Sequence, residues 1–235
     1  MKANRFFTTA IFSIIGVLAA AQPWMMRPQG PANEFSAMEG TSVLNYNLQM
    51  ERDIHSRAGY GPAFYIFPDS KLDNNQALEL AEKLDLVNII KEYGGRIMVV
   101  NPSSDKWQDQ DLENFRRLIG MGGSPTNVKV IGIGSGATFV NRQLAATDLT
   151  GVIAGIVSID GDPGKICKLP VPAFIGGKNA AKAAKPYQAT SDAAPADPLQ
   201  KVVVNTDKKA SLETLFAEAW DEVLSANYRY NNLYR

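Results

Sequence analysis

The chain has 235 residues, of which 45% are apolar and 20% are charged, as in an ordinary soluble globular protein. Its 24 basic and 24 acidic residues balance, so no surplus of positive charge points to a nucleic-acid partner. The single cysteine, Cys167, excludes an intrachain disulfide and cysteine-built metal sites, and the single histidine, His55, excludes the usual zinc sites of hydrolases. We therefore expect neither a bound metal nor a cofactor.

Residues 1–21 have the pattern of a secretory signal peptide. Lys2 and Arg5 precede an uncharged stretch, residues 6–21, that ends in three alanines. This stretch is shorter than the span of about 20 residues that crosses a bilayer. The pattern predicts a secreted or periplasmic protein, cleaved near Gln22 and without a stable membrane anchor after cleavage. Residues 22–40 are rich in Pro, Gly and Met and lack clear periodicity, which predicts a leader or linker.

Residues 41–235 are predicted to form one domain in which strands and helices alternate. Apolar or alternating runs indicate strands, and an apolar face recurring every three or four residues indicates helices. The predicted strands cover 42–50, 63–67, 96–100, 127–133, 152–159, 171–175 and 201–205. Helices are predicted over about 73–93, from about 109, from the turn at 134–136 to about 146, and over 211–226. Residues 178–198 are predicted to be an exposed excursion of low order.

This alternation predicts the fold class. Strands that are apolar throughout, separated by helices with one apolar face, predict an α/β fold: a mostly parallel central sheet with helices on both faces. In such sheets the functional groups lie at the carboxyl ends of the strands. Functional residues are therefore expected in the turns at 68–72, 101–108, 134–137, 160–165, 176–181 and 205–210.

The turn after the predicted strand 127–133 is the most informative of these. Ser135 lies between Gly134 and Gly136. A glycine-flanked serine between a buried strand and a helix suits a nucleophile elbow, and the amide of Gly136 would supply half of an oxyanion hole. With Ser135 at the centre of the pattern G-x-S-x-G, Ile133 and Ala137 replace the outer glycines. A dinucleotide-binding loop and a structural turn without chemistry stay open as alternatives.

A wider set of motifs resembles a known fold. The strand that ends at Pro68-Asp69, the strand that ends at Asn101-Pro102, Trp107 and the serine turn resemble the α/β-hydrolase fold. More narrowly, they are similar to the extracellular polyhydroxybutyrate-depolymerase-like esterases. The resemblance covers about residues 60–187 and implies hydrolysis of a carboxylic ester or a polyester. It also implies a serine nucleophile followed along the chain by an acid and a histidine.

The resemblance implies roles for individual residues. Ser135 takes the place of the nucleophile, and Asp69 stands where the family has its oxyanion glycines. The family's acid position falls on Ala180, and its histidine position falls in residues 206–208, where there is no histidine. The candidates for acid and base are therefore found elsewhere in the chain: Asp160, Asp162 and His55.

Two hypotheses about function follow. The first is an exported serine ester hydrolase that uses Ser135 as nucleophile. The second is a non-catalytic hydrolase-like domain that binds a polymer or packs on a partner domain. Its main support is that no histidine follows residue 55. In the second hypothesis the C-terminal region, which ends in tyrosines and arginines at 228–235, is a candidate docking surface for the partner.

Overall fold

The computed structural model describes residues 33–38, 41–46, 63–93, 96–121, 128–149, 151–193 and 201–225. The strands are β1 (Asn33–Met38), β2 (Thr41–Tyr46), β3 (Ala63–Phe67), β4 (Arg96–Val100), β5 (Val128–Ile133), β6 (Ile153–Ile159), β7 (Ala173–Gly176) and β8 (Val202–Asn205). The helices are α1 (Asn74–Lys83), α2 (Leu86–Tyr93), α3 (Asp109–Met121), α4 (Ser135–Phe139), α5 (Ala180–Ala183), α6 (Lys185–Ala193) and α7 (Leu212–Ala219). Helices α4 and α7 each continue into a π-helical turn, Val140–Leu144 and Trp220–Leu224. None of these helices is long and apolar enough to cross a membrane.

The eight strands form one sheet in the order β1-β2-β4-β3-β5-β6-β7-β8. The six strands from β4 to β8 run parallel, and β1 and β2 add an antiparallel pair at one side. This arrangement confirms the predicted α/β class with its mostly parallel central sheet. Because parallel neighbours are joined by crossovers, the carboxyl ends of all six strands meet at one edge of the sheet.

Both faces of the sheet are buried under helices, as predicted. Successive side chains of a strand point to opposite faces, so β3 supplies Tyr65 and Phe67 to one apolar layer and Phe64 and Ile66 to the other. The first layer is completed from helices by, among others, Phe115 of α3, Phe139 of α4 and Tyr187 of α6. The second is completed by, among others, Ala81 of α1, Ile90 of α2 and Phe216 of α7.

The N-terminal side of the sheet differs from the prediction. Strand β1 lies within residues 22–40, which were expected to be a leader or linker, and it pairs with β2. Strand β2 is therefore not an edge strand, because it is hydrogen-bonded to β1 on one side and to β4 on the other. Strand β1 is stabilised by its pairing with β2. Such pairing does not require a periodic pattern of apolar residues within β1, so the sequence of this segment did not indicate a strand.

The helix predicted over 73–93 is two helices. Asp73 caps the first turn of α1, where its carboxylate accepts the N–H groups of Asn75 and Gln76 and the Gln76 side chain accepts the N–H of Asp73. The chain then bends at Asp85, which has a φ of 54°. Aspartate tolerates this left-handed conformation better than most residues, and its carboxylate accepts a 2.7 Å hydrogen bond from Asn88. The apolar face continues across the bend, which is why periodicity alone predicted one helix.

The expectation of low order at 178–198 is wrong for most of that segment. Helices α5 and α6 cover 180–183 and 185–193. Ala183 and Tyr187 are buried, and the Tyr187 hydroxyl donates a 2.9 Å hydrogen bond to Asn141. Alanine has the highest helix propensity, so this alanine-rich segment favours helices. The buried ring of Tyr187 anchors them to the core.

The predicted closing helix is confirmed as α7 and its π-helical turn. The Ser211 hydroxyl accepts the N–H of Thr214 and caps the helix. Phe216 is 2% exposed and packs on the sheet, as the apolar stripe predicted. Trp220 is only partly buried; its ring centroid lies 6.3 Å from that of Phe64. Phe216 is therefore the main aromatic contact between this helix and the sheet.

A lysine side chain lies inside the core. Lys129 is on the central strand β5 and is 1% exposed. Val128 and Val130 on either side belong to the first apolar layer, so Lys129 points to the opposite face. Its partner in β6 is Gly155, which has no side chain to compete for the space. On that face Lys129 and Leu224 of the π-helical turn both lie close to Gly155. Burial lowers the pKa of Lys129 to about 7.

This burial predicts a pH-dependent stability. Between about pH 7 and pH 10.5 the unfolded lysine binds a proton that the folded one does not, so stability rises with pH in this interval. Lys129→Met removes the cost of burying the charge. We expect the variant to exceed the wild type by several kcal/mol at pH 6, at about 1.4 kcal/mol for each unit of pKa, and by much less near pH 10. Urea unfolding at the two pH values measures the difference.

The control is Lys182→Met, on the exposed side of α5. It should change stability equally at both pH values. If the difference between Lys129→Met and the wild type were also independent of pH, the buried amine would not be the cause.

Candidate active site

The elbow predicted after β5 is present, but the residue with its unusual backbone angles is Gly134. Strand β5 ends at Ile133, and α4 begins at Ser135. Between them Gly134 has φ 57° and ψ −118°, a conformation that residues with a Cβ rarely adopt. Its N–H donates to the carbonyl of Ile159 at the end of β6, which holds the corner against the sheet. The corner of the elbow therefore lies one residue earlier than predicted.

The flanking glycines identify the centre of the elbow. A Cβ on Gly132 would lie 2.6 Å from the Cα of Ala137, and a Cβ on Gly136 would lie 2.5 Å from the carbonyl oxygen of Pro68. These two positions need glycine, as do the outer positions of the pattern G-x-S-x-G. The central position is then Gly134. Placing Ser135 at the centre was wrong by one residue, and the central residue has no nucleophilic side chain.

Asp69 fills the space in front of this corner. Its Oδ1 accepts a 2.6 Å hydrogen bond from the N–H of Ser135, and its Cγ would lie 2.6 Å from a Cβ placed on Gly134. The amide that follows the central residue is an oxyanion donor in hydrolase elbows. Here that amide belongs to Ser135 and is occupied by a carboxylate of the same chain. The Ser135 hydroxyl also donates to the backbone carbonyl of Asp69.

The prediction for the oxyanion hole, Gly136 and Asp69, therefore needs two corrections. Asp69 does lie beside the elbow, but it contributes an acceptor where an oxyanion hole requires donors. Gly136 lies two residues beyond the central position and is buried under the carbonyls of Phe67 and Pro68. Its role is to let the helix approach β3 closely.

The loop that carries Asp69 is held at both ends. The indole Nε1 of Trp107 donates a 3.1 Å hydrogen bond to the carbonyl of Pro68, and the indole stacks on Phe139 with ring centroids 4.8 Å apart. At the other end, the buried Asn101 side chain donates to the carbonyl of Leu72 and accepts its N–H, at 2.7 and 3.0 Å. The segment that follows β4 thus fixes the loop of Asp69, because Trp107 bonds to Pro68 before it and Asn101 bonds to Leu72 after it.

The two predicted acids follow β6 but form hydrogen bonds elsewhere. Asp160 has a φ of 58°, and its carboxylate accepts the N–H of Lys178 at 2.9 Å. The carboxylate of Asp162 forms a 3.0 Å ion pair with Arg142 and accepts a 3.1 Å hydrogen bond from Asn179. Both residues stabilise the turns around α4 and α5. The hydrogen bonds of the described residues link neither of them to Ser135.

The remaining predicted positions give no acid and no base. Ala180, at the family's acid position, is buried at the start of α5. Asp207 follows β8 at the histidine position, where its N–H donates to Asn205 and its carboxylate accepts the N–H of Lys209, as in a structural turn. His55 lies outside the described residues, as do the predicted signal peptide and the tyrosine and arginine cluster at 228–235.

Solved structures share this architecture. One is MGS-M1, an α/β hydrolase enzyme from a Medee basin deep-sea metagenome library, with a TM-score of 0.53 and 15% identity over 88% of this chain and 96% of that chain. The protein has an α/β-hydrolase fold. An esterase of the bacterial hormone-sensitive lipase family matches with a TM-score of 0.50 and 14% identity over 99% of this chain and 92% of that chain. A ferulic acid esterase matches with a TM-score of 0.51 and 9% identity over 84% of this chain and 96% of that chain.

No family model and no curated protein matches this chain. The structural matches are too distant in sequence to carry more than the fold. The narrower resemblance to polyhydroxybutyrate-depolymerase-like esterases stays a prediction.

The residue that sequence reasoning missed is Gly134. The signal was available, because Gly132 and Gly136 have the spacing of the outer glycines in G-x-S-x-G. Because Ser135 has a hydroxyl group and Gly134 has no side chain, the centre of the elbow was predicted at Ser135. Only the backbone angles and the close contacts of the flanking glycines identify the centre.

The Gly134 corner predicts a specific stability loss. Gly134→Ala should lower the free energy of unfolding by about 1–3 kcal/mol for backbone strain, and further because the new Cβ displaces Asp69. In an Asp69→Ala background the same substitution should cost less, because the carboxylate is gone. Urea unfolding of the four proteins in a double-mutant cycle measures this coupling.

Gly151→Ala is the matched control for this cycle, since a Cβ there meets no atom within 4 Å. It should change stability little. A cost of Gly134→Ala that is the same with and without Asp69 would show that the carboxylate does not fill the corner.

Proposed function

We propose that this chain is a non-catalytic domain with the α/β-hydrolase fold. The observation that carries the proposal is the elbow itself: its central residue is Gly134, and the Asp69 carboxylate accepts the amide of Ser135. Nucleophilic hydrolysis needs a reactive side chain at this corner and a free amide facing the developing oxyanion. Neither requirement is met by the described residues.

The charge at this site opposes ester hydrolysis further. A tetrahedral intermediate bears a negative oxygen, and the place for that oxygen is next to the Ser135 amide. Asp69 already puts a carboxylate there, so an incoming oxyanion would meet like charge and lose its donor. Loss of one such donor costs a hydrolase about 2.7–4 kcal/mol of transition-state stabilisation. The site therefore favours the role of a scaffold over that of a catalyst.

The serine-esterase hypothesis rests on different support. The fold is shared with esterases, and Ser135 is exposed at the start of α4. It would require the Ser135 hydroxyl to leave the carbonyl of Asp69, and Asp160 or Asp162 to leave their present partners. It would also need His55 as base. An ester or polyester substrate belongs to this second candidate function.

For the non-catalytic domain, the proposed role is binding, either of a polymer or of a partner domain. We also propose that the protein works outside the cytoplasm, in a secreted or periplasmic location. The support for this location is the basic and apolar pattern of residues 1–21.

The first test is chemical labelling of serine. The purified protein is incubated with a fluorophosphonate, and its intact mass is measured; a serine esterase treated in parallel shows that the reagent is active. We expect no mass increase. We also expect hydrolysis of p-nitrophenyl butyrate at equal rates by the wild type, Ser135→Ala and the control Ser104→Ala, because among the described residues the Ser135 hydroxyl bonds to the carbonyl of Asp69 and to no activating base.

The contrary result is specific. Labelling of the wild type and of Ser104→Ala, but not of Ser135→Ala, would establish Ser135 as a nucleophile. It would overturn the non-catalytic proposal in favour of the esterase.

Export is tested by sequencing the N-terminus of protein recovered from outside the cytoplasm. We expect the mature chain to begin near Gln22. A variant without residues 2–21 should stay in the cytoplasm, because it lacks the segment that directs export. Exported material that still begins with Met1 would contradict cleavage.

A further inference from the structure

A groove of about 380 Å³ lies between the α1–α2 bend and α7. We call it the α2–α7 groove. Its floor is apolar and is formed by Leu84, Ile89, Phe216 and Trp220. The first three are almost fully buried, whereas Trp220 remains partly exposed. None of the residues that line the groove belongs to the elbow, so this surface is independent of the degenerate site.

The rim of the α2–α7 groove is acidic. Asp85 and Glu92 lie on the α2 side, and Glu213 and Asp221 lie on the α7 side. Among the described residues that line the groove, only Lys83 is basic, and it forms a 3.2 Å ion pair with Glu213. The lining thus has four carboxylates and one ammonium group. Among the described residues, Asp85, Glu92 and Asp221 form no ion pair, so their carboxylates face the groove without a neighbouring cation from this part of the chain.

Trp220 gives the floor a rigid aromatic surface. Its ring packs against Phe64 of β3, with centroids 6.3 Å apart, and it lines the groove together with the buried Phe216 and the exposed Asp221. An aromatic ring next to carboxylates attracts a planar cation, because the face of the ring is negative. Arginine fits this arrangement better than lysine, since its guanidinium can stack on the ring and donate to carboxylates at the same time.

We propose that the α2–α7 groove binds an arginine-containing, amphipathic peptide segment of a partner protein. Charge complementarity with the acidic rim selects a basic partner, and the apolar floor selects one that also carries aliphatic side chains. The groove volume is near the lower end of that of ligand pockets, about 300–1,000 Å³. It therefore accommodates a few side chains of a segment that extends beyond it. Tryptophan and arginine are the residues most often found at the energetic centre of such interfaces.

The test uses the full chain and a fluorescein-labelled peptide, Gly-Ser-Leu-Arg-Leu-Leu-Arg-Leu-Gly-Ser. Binding is followed by fluorescence anisotropy at low and high salt. We expect saturable binding that weakens with salt, because exposed charges are screened. A peptide with glutamate in place of both arginines should not bind. Equal binding of the two peptides, or no binding of the arginine peptide, would overturn the proposal.

Variants of the groove separate its charge from its aromatic floor. Glu92→Gln combined with Asp221→Asn should weaken the affinity about tenfold at low salt. Trp220→Leu should weaken it about fivefold, since the floor stays apolar but loses the ring face. The control is Glu79→Gln combined with Asp105→Asn, which removes the same two charge types from exposed sites outside the groove. An equal loss of affinity in this control would show that only the net charge of the protein matters, and it would overturn the proposal.

Two further outcomes assign the groove to another occupant. If the peptide bound only after Arg229→Glu combined with Arg235→Glu, the chain's own C-terminal segment would be the occupant. If sedimentation velocity showed a dimer that Glu92→Gln combined with Asp221→Asn dissociates, the occupant would be a second copy. Either result would overturn the proposal that the groove binds a separate partner protein.

Discussion

The chain reverses its direction between β5 and α4 within a single residue, and the arrangement around it depends on keeping that space free of side chains. Gly134 adopts angles that a Cβ would strain, and Gly132 and Gly136 allow α4 to lie against the ends of β3 and β5. Because β5 is hydrogen-bonded to β3 and β6, this corner fixes where the loops after all three strands meet. The Asp69 carboxylate accepts the N–H of Ser135 at this corner, and Ile159, which precedes Asp160, accepts the N–H of Gly134.

In a hydrolase the strain of this corner holds a nucleophile in place. Here a glycine relieves the strain, and the space that a side chain would occupy is taken by Asp69. Its carboxylate accepts the first amide of α4 and so acts as a cap, which is favourable at the positive end of a helix. Trp107 and Asn101 hold the loop in this position. In the described residues the elbow is a contact between the loop after β3 and α4 that supports the fold.

Helix α7 and its π-helical turn contribute to two features. On one side they cover the face of the sheet on which Phe216 is buried and to which Lys129 points. On the other side Trp220 and Asp221 line a groove with an acidic rim. The first feature is the basis of the pH-dependent stability that we expect for Lys129. The second is the surface on which we propose that a basic partner binds.

The sequence alone was sufficient for the class of fold. Apolar runs such as 63–67 and 96–100 match β3 and β4 residue for residue, because a strand buried on both faces requires apolar side chains at every position. It also located the turn at 134–136 as the place to look. It did not identify the edge strand β1, because residues 22–40 have no clear periodicity. It also missed the bend at Asp85, because the apolar face continues across it.

Tertiary structure decided the identity of the elbow. In the sequence, the spacing of Gly132 and Gly136 favours Gly134 as the centre, whereas the hydroxyl group favours Ser135. The backbone angles of the corner decide between them. Likewise, Asp69 lies sixty-six positions from Ser135 along the chain, and only the parallel pairing of β3 with β5 brings the two together. Composition and periodicity report local preference and burial. Whether an oxyanion donor is free or already bonded is a question of contacts between distant segments, which folding alone determines.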